Sequence, residues 1–162
     1  MCIELSDELI ELLRSVTIFA GMDDSCLRRF FNRCELLNVH AGEEIIKENT
    51  QASEIFIVIK GKLKIVLDSD GDQFEIAEMG PGNCVGEASV IGVQTHSATA
   101  MVTEDSQLLV LSRKDLMRVF DEDKELFSLL ILNIARELAR RLRRTDEILL
   151  HYTKRNSLKL NN

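Results

Sequence analysis

The chain has 162 residues, enough for one compact domain or one domain plus an appended helix, and enough to bury a core without a disulfide or a metal. Its composition, 45% hydrophobic and 29% charged with a formal net charge of -7, is that of an ordinary globular protein. No apolar run approaches the ~20 residues of a membrane span, and the acidic, amphipathic start MCIELSDELIELL lacks the basic and apolar regions of a secretory signal, so a cytoplasmic protein without a membrane partner is expected.

Ser6 is placed to cap a helix through DELIELLRS, where Leu9, Ile10, Leu12 and Leu13 form an apolar stripe. TIFAGM breaks that pattern. Asp23 or Asp24 then caps a second short helix that turns Leu27, Phe30 and Phe31 inward. These elements make an N-terminal helical segment over residues 1–33.

From about residue 34 the period becomes that of strands, and a β unit is drawn over residues 34–120. CELLNV, EEIIKE, EIFIVIK, KLKIVLD, QFEIAEM, SATAMVT and SQLLVLS are the candidate strands. Turn residues separate them at Ala41-Gly42, Lys60-Gly61, Asp70-Gly71 and Gly80 to Asn83. Short strands at this spacing indicate an antiparallel sandwich or barrel. SDGD between KLKIVLD and QFEIAEM signals a hairpin. Asp68, Asp70 and Asp72 hint at a calcium loop, but Gln73 stands where that loop needs glycine and Met79 where it needs a bidentate glutamate.

The segment GPGNCVGEASVIGVQTHSATAMV supplies a glycine turn, a short helical turn from Gly86 and a strand beginning near Ser97. Two readings fit it. The first turn of a helix built from small residues offers free backbone N–H groups to a phosphate, with Glu87 available to a sugar hydroxyl. Alternatively it is a structural corner in which Glu87 only caps backbone amides.

Ser112 caps a helix through RKDLMRVF with Asp115 as its box partner. Asp121 caps the final helix, from about Glu122 to Tyr152, in a unit drawn over residues 121–155 with a tail over 156–162. Ile131, Ala135, Leu138, Leu142, Thr145, Leu149 and Tyr152 are spaced alternately by four and three, a coiled-coil seam. Thr145 is its polar member and is expected to need a bonding partner. Leu126, Phe127, Leu130 and Ile134 lie on a flank directed at the β unit. Two apolar faces fit a helix shared between the domain and a second chain, hence a homodimer; a single broad face within one protomer is the alternative. Arg136, Arg140, Arg141, Arg143, Arg144, Lys154, Arg155 and Lys159 stand against only Glu137, Asp146 and Glu147. That basic stretch reads either as a solvated helix face or as a patch for an anionic partner.

Cys2, Cys26, Cys34 and Cys84 form no C-x-x-C pair and are expected as small buried hydrophobes. His40, His96 and His151 are far apart, and no metal site is expected. A β-barrel enzyme is a further class, but it would need a metal set or a nucleophile–base constellation, and none is visible; no catalytic residue is assigned.

Val85 to Thr99, VGEASVIGVQTHSAT, resembles without a gap the phosphate-binding cassette of cyclic nucleotide-binding domains, F-G-E-L-A-L-[I/L]-x-x-x-P-R-[A/S/T]-A-[T/S]. The resemblance extends to LLRSVTIFAGM, to HAGEEIIKEN with His40 for proline and Asn49 for glycine, and to IFIVIKGKLKIVL around Gly61. ARELARRLRRTDEI is similar to the dimer helix of the catabolite-activator branch of that family. The resemblance implies a mainly β fold with flanking α: an antiparallel double-stranded β-helix, a jelly-roll-like β-roll, with N-terminal helices and a long C-terminal dimerisation helix. It implies cyclic AMP or cyclic GMP as ligand and no required cofactor. Gly86, Ala88 and Ser89 would offer amides to the cyclic phosphate, Glu87 would hold the ribose 2′-hydroxyl, Ser97 would contact the phosphate, and Thr145 would reach the base from the long helix, with Arg141, also counted among the ligand-binding residues, one turn before it.

The departure is His96, where the family has arginine. A neutral imidazole offers one donor in place of a permanently charged fork, and losing a charge-assisted hydrogen bond costs roughly 1.5–3 kcal/mol. Weak binding is therefore expected, tighter at low pH, with Glu87 and His96 facing one cavity. About ten residues follow Tyr152, too few for a DNA-reading element, so no specific DNA binding is expected. The expected function is a non-catalytic sensor domain signalling through an unidentified partner protein. The alternative is a degenerate member that binds no cyclic nucleotide and serves as a protein-interaction scaffold.

Overall fold

A computed structural model of the chain describes residues 6–69 and 71–160. Cys2, Asp70 of the expected hairpin and calcium-like string, and the last two residues of the expected tail lie outside the described residues, as do the side chains of Arg155 and Lys159.

Helix α1 (Asp7–Ser15) starts at Ser6, whose hydroxyl accepts from the Leu9 amide, and buries Ile10 and Leu13. A 3-10 turn, Thr17–Phe19, leads to α2 (Asp24–Phe31). Of the two candidate caps Asp23 is used, accepting from the Cys26 amide at 2.8 Å, and Leu27, Phe30 and Phe31 are buried.

Strands β1 (Glu35–Val39), β2 (Glu44–Ile46), β3 (Glu54–Ser69), β4 (Asp72–Met79), β5 (Cys84–Val85) and β6 (Thr99–Ser112) form one antiparallel sheet. Its order is β1-β6-β3-β4, with β2 also on β6 and β5 also on β3. The expected β-roll with flanking helices is the observed fold. Its core has two compartments. Ile55, Ile57 and Ile59 of β3 and Leu109 and Leu111 of β6 face the helices. Phe56, Val58 and Leu63 of β3 and Ala100, Val102 and Leu108 of β6 face the roll interior with Val39, Ile46 and Val85. Both faces of the central strands are buried, which is why EIFIVIK and QLLVLS read as nearly continuous apolar runs.

Two expectations about strands are corrected. Lys60-Gly61 is no turn: EIFIVIK and KLKIVLD are one strand, and so are SATAMVT and SQLLVLS. The register between β3 and β6 shifts around Lys60 and Lys62, and Gly61 has φ +85°. A Cβ there would lie 2.6 Å from the Asp105 carbonyl oxygen. The glycine is needed for a bulge that bends a continuous strand, not for a chain reversal. The hairpin is as expected, with Ser69 paired to Asp72.

After β5 comes α3 (Glu87–Gly92), then β6, then α4 (Arg113–Glu122), capped by Ser112 as expected. The final helix, α5 (Lys124–Leu160), is capped by Asp123, whose carboxylate accepts from the Leu126 amide at 3.0 Å. Asp121 belongs to α4 instead, and α5 runs on past Tyr152 through residues 156–160, which continue the helix rather than forming a separate tail. Leu126, Leu130 and Ile134 are buried against the helix-side core, with Phe127 partly buried beside them. Among the described cysteines only Cys84 is buried; Cys26 and Cys34 are half-buried.

Candidate functional site

The candidate site begins where β5 hands over to α3. Gly86 lies in the left-handed region, φ +88°. A Cβ there would stand 2.7 Å from the Glu54 carbonyl oxygen and 3.3 Å from Ile46 Cδ1, so the close approach of β3 requires glycine. The Gly86 carbonyl accepts from the Val90 amide at 3.0 Å, and the first-turn amides of so short a helix have no partner within it. Ala88 is exposed and Ser89 is buried. The helix ends at Val93, itself left-handed at φ +52°, with the Gln94 amide on the Ser89 carbonyl.

His96 is held against the β2–β3 connection by its backbone. Its amide donates to the Thr50 carbonyl at 2.9 Å and its carbonyl accepts from the Asn49 amide at 2.8 Å. Asn49 has φ +64°, a left-handed conformation that asparagine tolerates better than most residues. Asparagine can therefore stand where the sequence pattern otherwise has glycine. His96 is only 7% exposed, and burial pushes its pKa below the ordinary imidazole value.

Glu87 is the most heavily constrained polar group of the segment. It is 1% exposed, and its Oε1 accepts from Arg141 Nη1 of α5 at 2.5 Å. Its Oε2 is buried with no hydrogen-bond partner. Arg141 also donates to the Cys84 carbonyl at 2.8 Å and, through Nε, to Glu137 at 3.2 Å. Burial pushes the Glu87 carboxyl above the usual carboxylate range, and Arg141 draws it part of the way back. Burial opposes ionisation of Glu137 too, but Arg140 and Arg141 together hold it below that range. Burial also raises the Cys84 thiol, to about 12, so it is an inert core group.

Glu87 and Arg141 thus meet, and the His96 ring lies beside Gly86, its Cε1 3.6 Å from where a Gly86 Cβ would stand. Ser97 is exposed, and Thr145 is exposed one turn further along α5. Its hydroxyl donates to the Arg141 carbonyl at 3.0 Å, which removes the expected need for an outside partner. The cavities described open elsewhere, one of about 680 Å³ beside Arg14, Met22 and Asp24 and one of about 330 Å³ along Arg144, Glu147 and His151 of α5. Neither is lined by Glu87 or His96. Sequence reasoning missed Glu137, although its four-residue spacing from Arg141 is the signature of a helical ion pair. It also missed Asn133, whose buried amide donates to the Ile18 and Ala20 carbonyls at 3.1 and 2.8 Å and fixes α5 to the turn between α1 and α2. A lone asparagine between Leu132 and Ile134 carries no sequence signal that it will be buried.

The geometry combines a buried carboxylate with one unused acceptor, a short helix whose first-turn amides have no partner within it, and a long helix tied to the same carboxylate. Comparison with known proteins gives a matching picture. Residues 36–123 match the family described as cyclic nucleotide-binding domain. A cyclic AMP receptor protein of Thermus thermophilus is 32% identical over 106 residues, covering 65% of this chain and 47% of that protein. The chain therefore spans about half the length of this curated relative. The crystal structure of the Thermus thermophilus catabolite activator protein has a TM-score of 0.74 at 27% identity, covering 82% of this chain and 61% of that one. A cyclic nucleotide-binding domain from Methylobacillus flagellatus shares the fold at a TM-score of 0.80 and 19% identity, over 89% of this chain and 82% of that one. Because the family match takes in more than half of the chain, including the whole segment from Gly86 to His96, the chain belongs to the cyclic nucleotide-binding domain family.

Proposed function

We propose that the chain is a non-catalytic sensor domain that takes a cyclic nucleotide at Gly86–Ser97, dimerises through α5 and acts through a partner protein. The observation that carries this reading is Glu87: a buried carboxylate whose Oε2 has no partner while Oε1 is held by α5 through Arg141. An unused buried acceptor is costly and calls for a donor, and a ribose hydroxyl is such a donor. The amides of Gly86, Ala88 and Ser89 would receive the cyclic phosphate, with His96 and Ser97 on its other side and Thr145 toward the base. Occupancy at Glu87 would then be felt by α5 through Arg141.

Dimerisation is supported by the apolar residues that α5 leaves uncovered in one protomer. Ala135, Leu142 and Leu149 of the seam are exposed, whereas Ile131 and Leu138 are partly buried in their own protomer. Among the described residues no helix is long and apolar enough to cross a membrane, and Cys26, Cys34 and Cys84 are free thiols, which supports a reducing, cytoplasmic setting. Specific DNA binding is not part of the proposal.

Calorimetric titration with cyclic AMP and cyclic GMP tests it. Wild type should bind weakly, and more tightly as pH falls. His96 has a lowered pKa when free, an anionic phosphate raises it, and binding therefore takes up a proton. His96→Arg should bind about ten- to a hundredfold more tightly and lose most of that pH dependence. Glu87→Ala should abolish binding. The scaffold reading is favoured by the neutral, buried His96; no binding by wild type or by His96→Arg would establish it over the sensor reading.

A further inference from the structure

The two buried side-chain polar atoms without a hydrogen-bond partner among the described residues both belong to side chains that hold α3. One is Glu87 Oε2, at its first residue. The other is Nε of Arg113, the first residue of α4, whose Nη2 donates to the Val90 carbonyl near the end of α3 at 3.4 Å. The backbone of Arg113 is fixed: its amide donates to the Ser53 carbonyl at 2.7 Å, and Ser112 caps the helix it starts. Only the guanidinium end can adjust. A guanidinium is a rigid fork of five donors, and here it makes one long bond to α3 and leaves a buried donor idle. The helix it holds ends on Val93, a β-branched residue in the left-handed region, where such residues are outliers. A helix of six residues is therefore gripped at each end by an arginine from a different helix: Arg141 of α5 at Glu87, Arg113 of α4 at Val90.

We infer that Arg113 is a positioning residue for the candidate site, setting where α3 lies and so linking the geometry at Glu87 to α4. The biological meaning of this link rests on the reading of Gly86–Ser97 as a ligand segment; the link itself does not require a nucleotide. A single short helix moves as one body, so loosening its last turn shifts Glu87 relative to Arg141. The groups that face Glu87 are Arg141 and Glu137 of α5, Cys84 of β5 and, beside Gly86, His96. None of them is changed by a substitution at position 113, so titration of the Glu87 carboxyl reports the position of α3.

The test is carbon-detected NMR titration of Glu87 together with hydrogen exchange of the Gln94 amide, on the full chain without nucleotide. Arg113→Met should raise the Glu87 titration midpoint, because Arg141 then stabilises its charge less, and should speed Gln94 exchange about tenfold. Arg113→Lys retains one donor within reach of Val90 and should restore both readings to near wild type. Arg113→Gln, too short to reach, should behave as Arg113→Met and serves if the latter does not fold. Faster Gln94 exchange with an unmoved Glu87 midpoint would reduce Arg113 to a local cap and overturn the inference, as would unchanged values for both. Titrating the same proteins with cyclic AMP and cyclic GMP keeps the two questions apart. A shifted Glu87 midpoint with no nucleotide binding sustains the role of Arg113 and defeats only the sensor reading.

Discussion

The two halves of α5 are one uninterrupted helix with opposite fates. From Lys124 to about Leu138 the helix is part of the domain: Leu126, Leu130 and Ile134 are buried, and Asn133 is bonded to the turn after α1. Beyond Arg141 its large apolar residues face out. Leu142 and Leu149 are each 63% exposed, and Ile148, Leu150 and Tyr152 are more than half exposed. Helix propensity does not separate the halves, since each is built mainly of good helix formers, with leucine, arginine, lysine and glutamate together making up more than half of it. Within the second half, pairs such as Arg143–Glu147 are exposed and contribute only about 0.3–0.5 kcal/mol each. The first half is stabilised by the core of its own protomer; the second carries an apolar stripe that a second chain would cover. Arg141 sits at the junction, bonded to the candidate site.

The largest effect expected from breaking this contrast is in the first half. Leu130→Ala should destabilise the domain by about 2–5 kcal/mol, the range for a leucine removed from a packed core, read as a lower urea midpoint. Leu149→Ala should change the stability of the protomer by less than about 0.5 kcal/mol. Equal costs at the two positions would erase the distinction.

At the junction, Arg141→Met should cost about 2 kcal/mol near neutral pH, less than a fully buried pair because the arginine is one-third exposed. The sign of its pH dependence follows from Glu87. Its folded pKa lies above the unfolded value and rises further without Arg141, so the folded state binds more protons than the unfolded state. The deficit should therefore shrink as pH falls from neutral toward the ordinary carboxylate range, as Glu87 takes up its proton. A deficit that grows on acidification contradicts this assignment.

Asn133→Ala leaves the Ile18 and Ala20 carbonyls without their donor and should cost about 1–2 kcal/mol, with faster hydrogen exchange in the turn before α2. The smallest effect on folding, and the sharpest on assembly, is expected from Leu149→Glu. The protomer should unfold within about 0.5 kcal/mol of wild type, while sedimentation shows self-association weakened by at least about tenfold. A wild type that stays monomeric at tens of micromolar removes the dimer from the proposal.

Much of this architecture was legible from local chemistry. The caps at Ser6 and Ser112, the apolar stripes of α1 and α2, the hairpin after Ser69 and the GEAS turn each depend on residues a few positions apart. Errors arose where two local solutions were equivalent. Asp121 and Asp123 are equally good caps by local chemistry, and the long-range contacts fall at the second: Arg29 of α2 binds Asp123 at 3.0 Å, and Arg33, in the turn after α2, binds Glu122 at 3.0 Å. Gly61 reads locally as a turn. The close approach of Asp105 and Ser106 selects the bulge, from a strand more than forty residues away.

The sequence by itself determined most of the element types and, through its motifs, the family, and it proposed Gly86, Glu87, His96 and Arg141 as site residues by resemblance. Periodicity, capping and left-handed turns are properties of neighbouring residues. Only the tertiary structure decided that Arg141 meets Glu87, that one oxygen of Glu87 is left unused, that His96 is buried and neutral, and that α5 divides into a covered and an uncovered half. Each of these is a matter of burial and of partners distant in the chain. The same carboxylate or imidazole is an ordinary solvated group in water and a constrained, unsatisfied or neutral one when a helix from elsewhere in the chain closes over it.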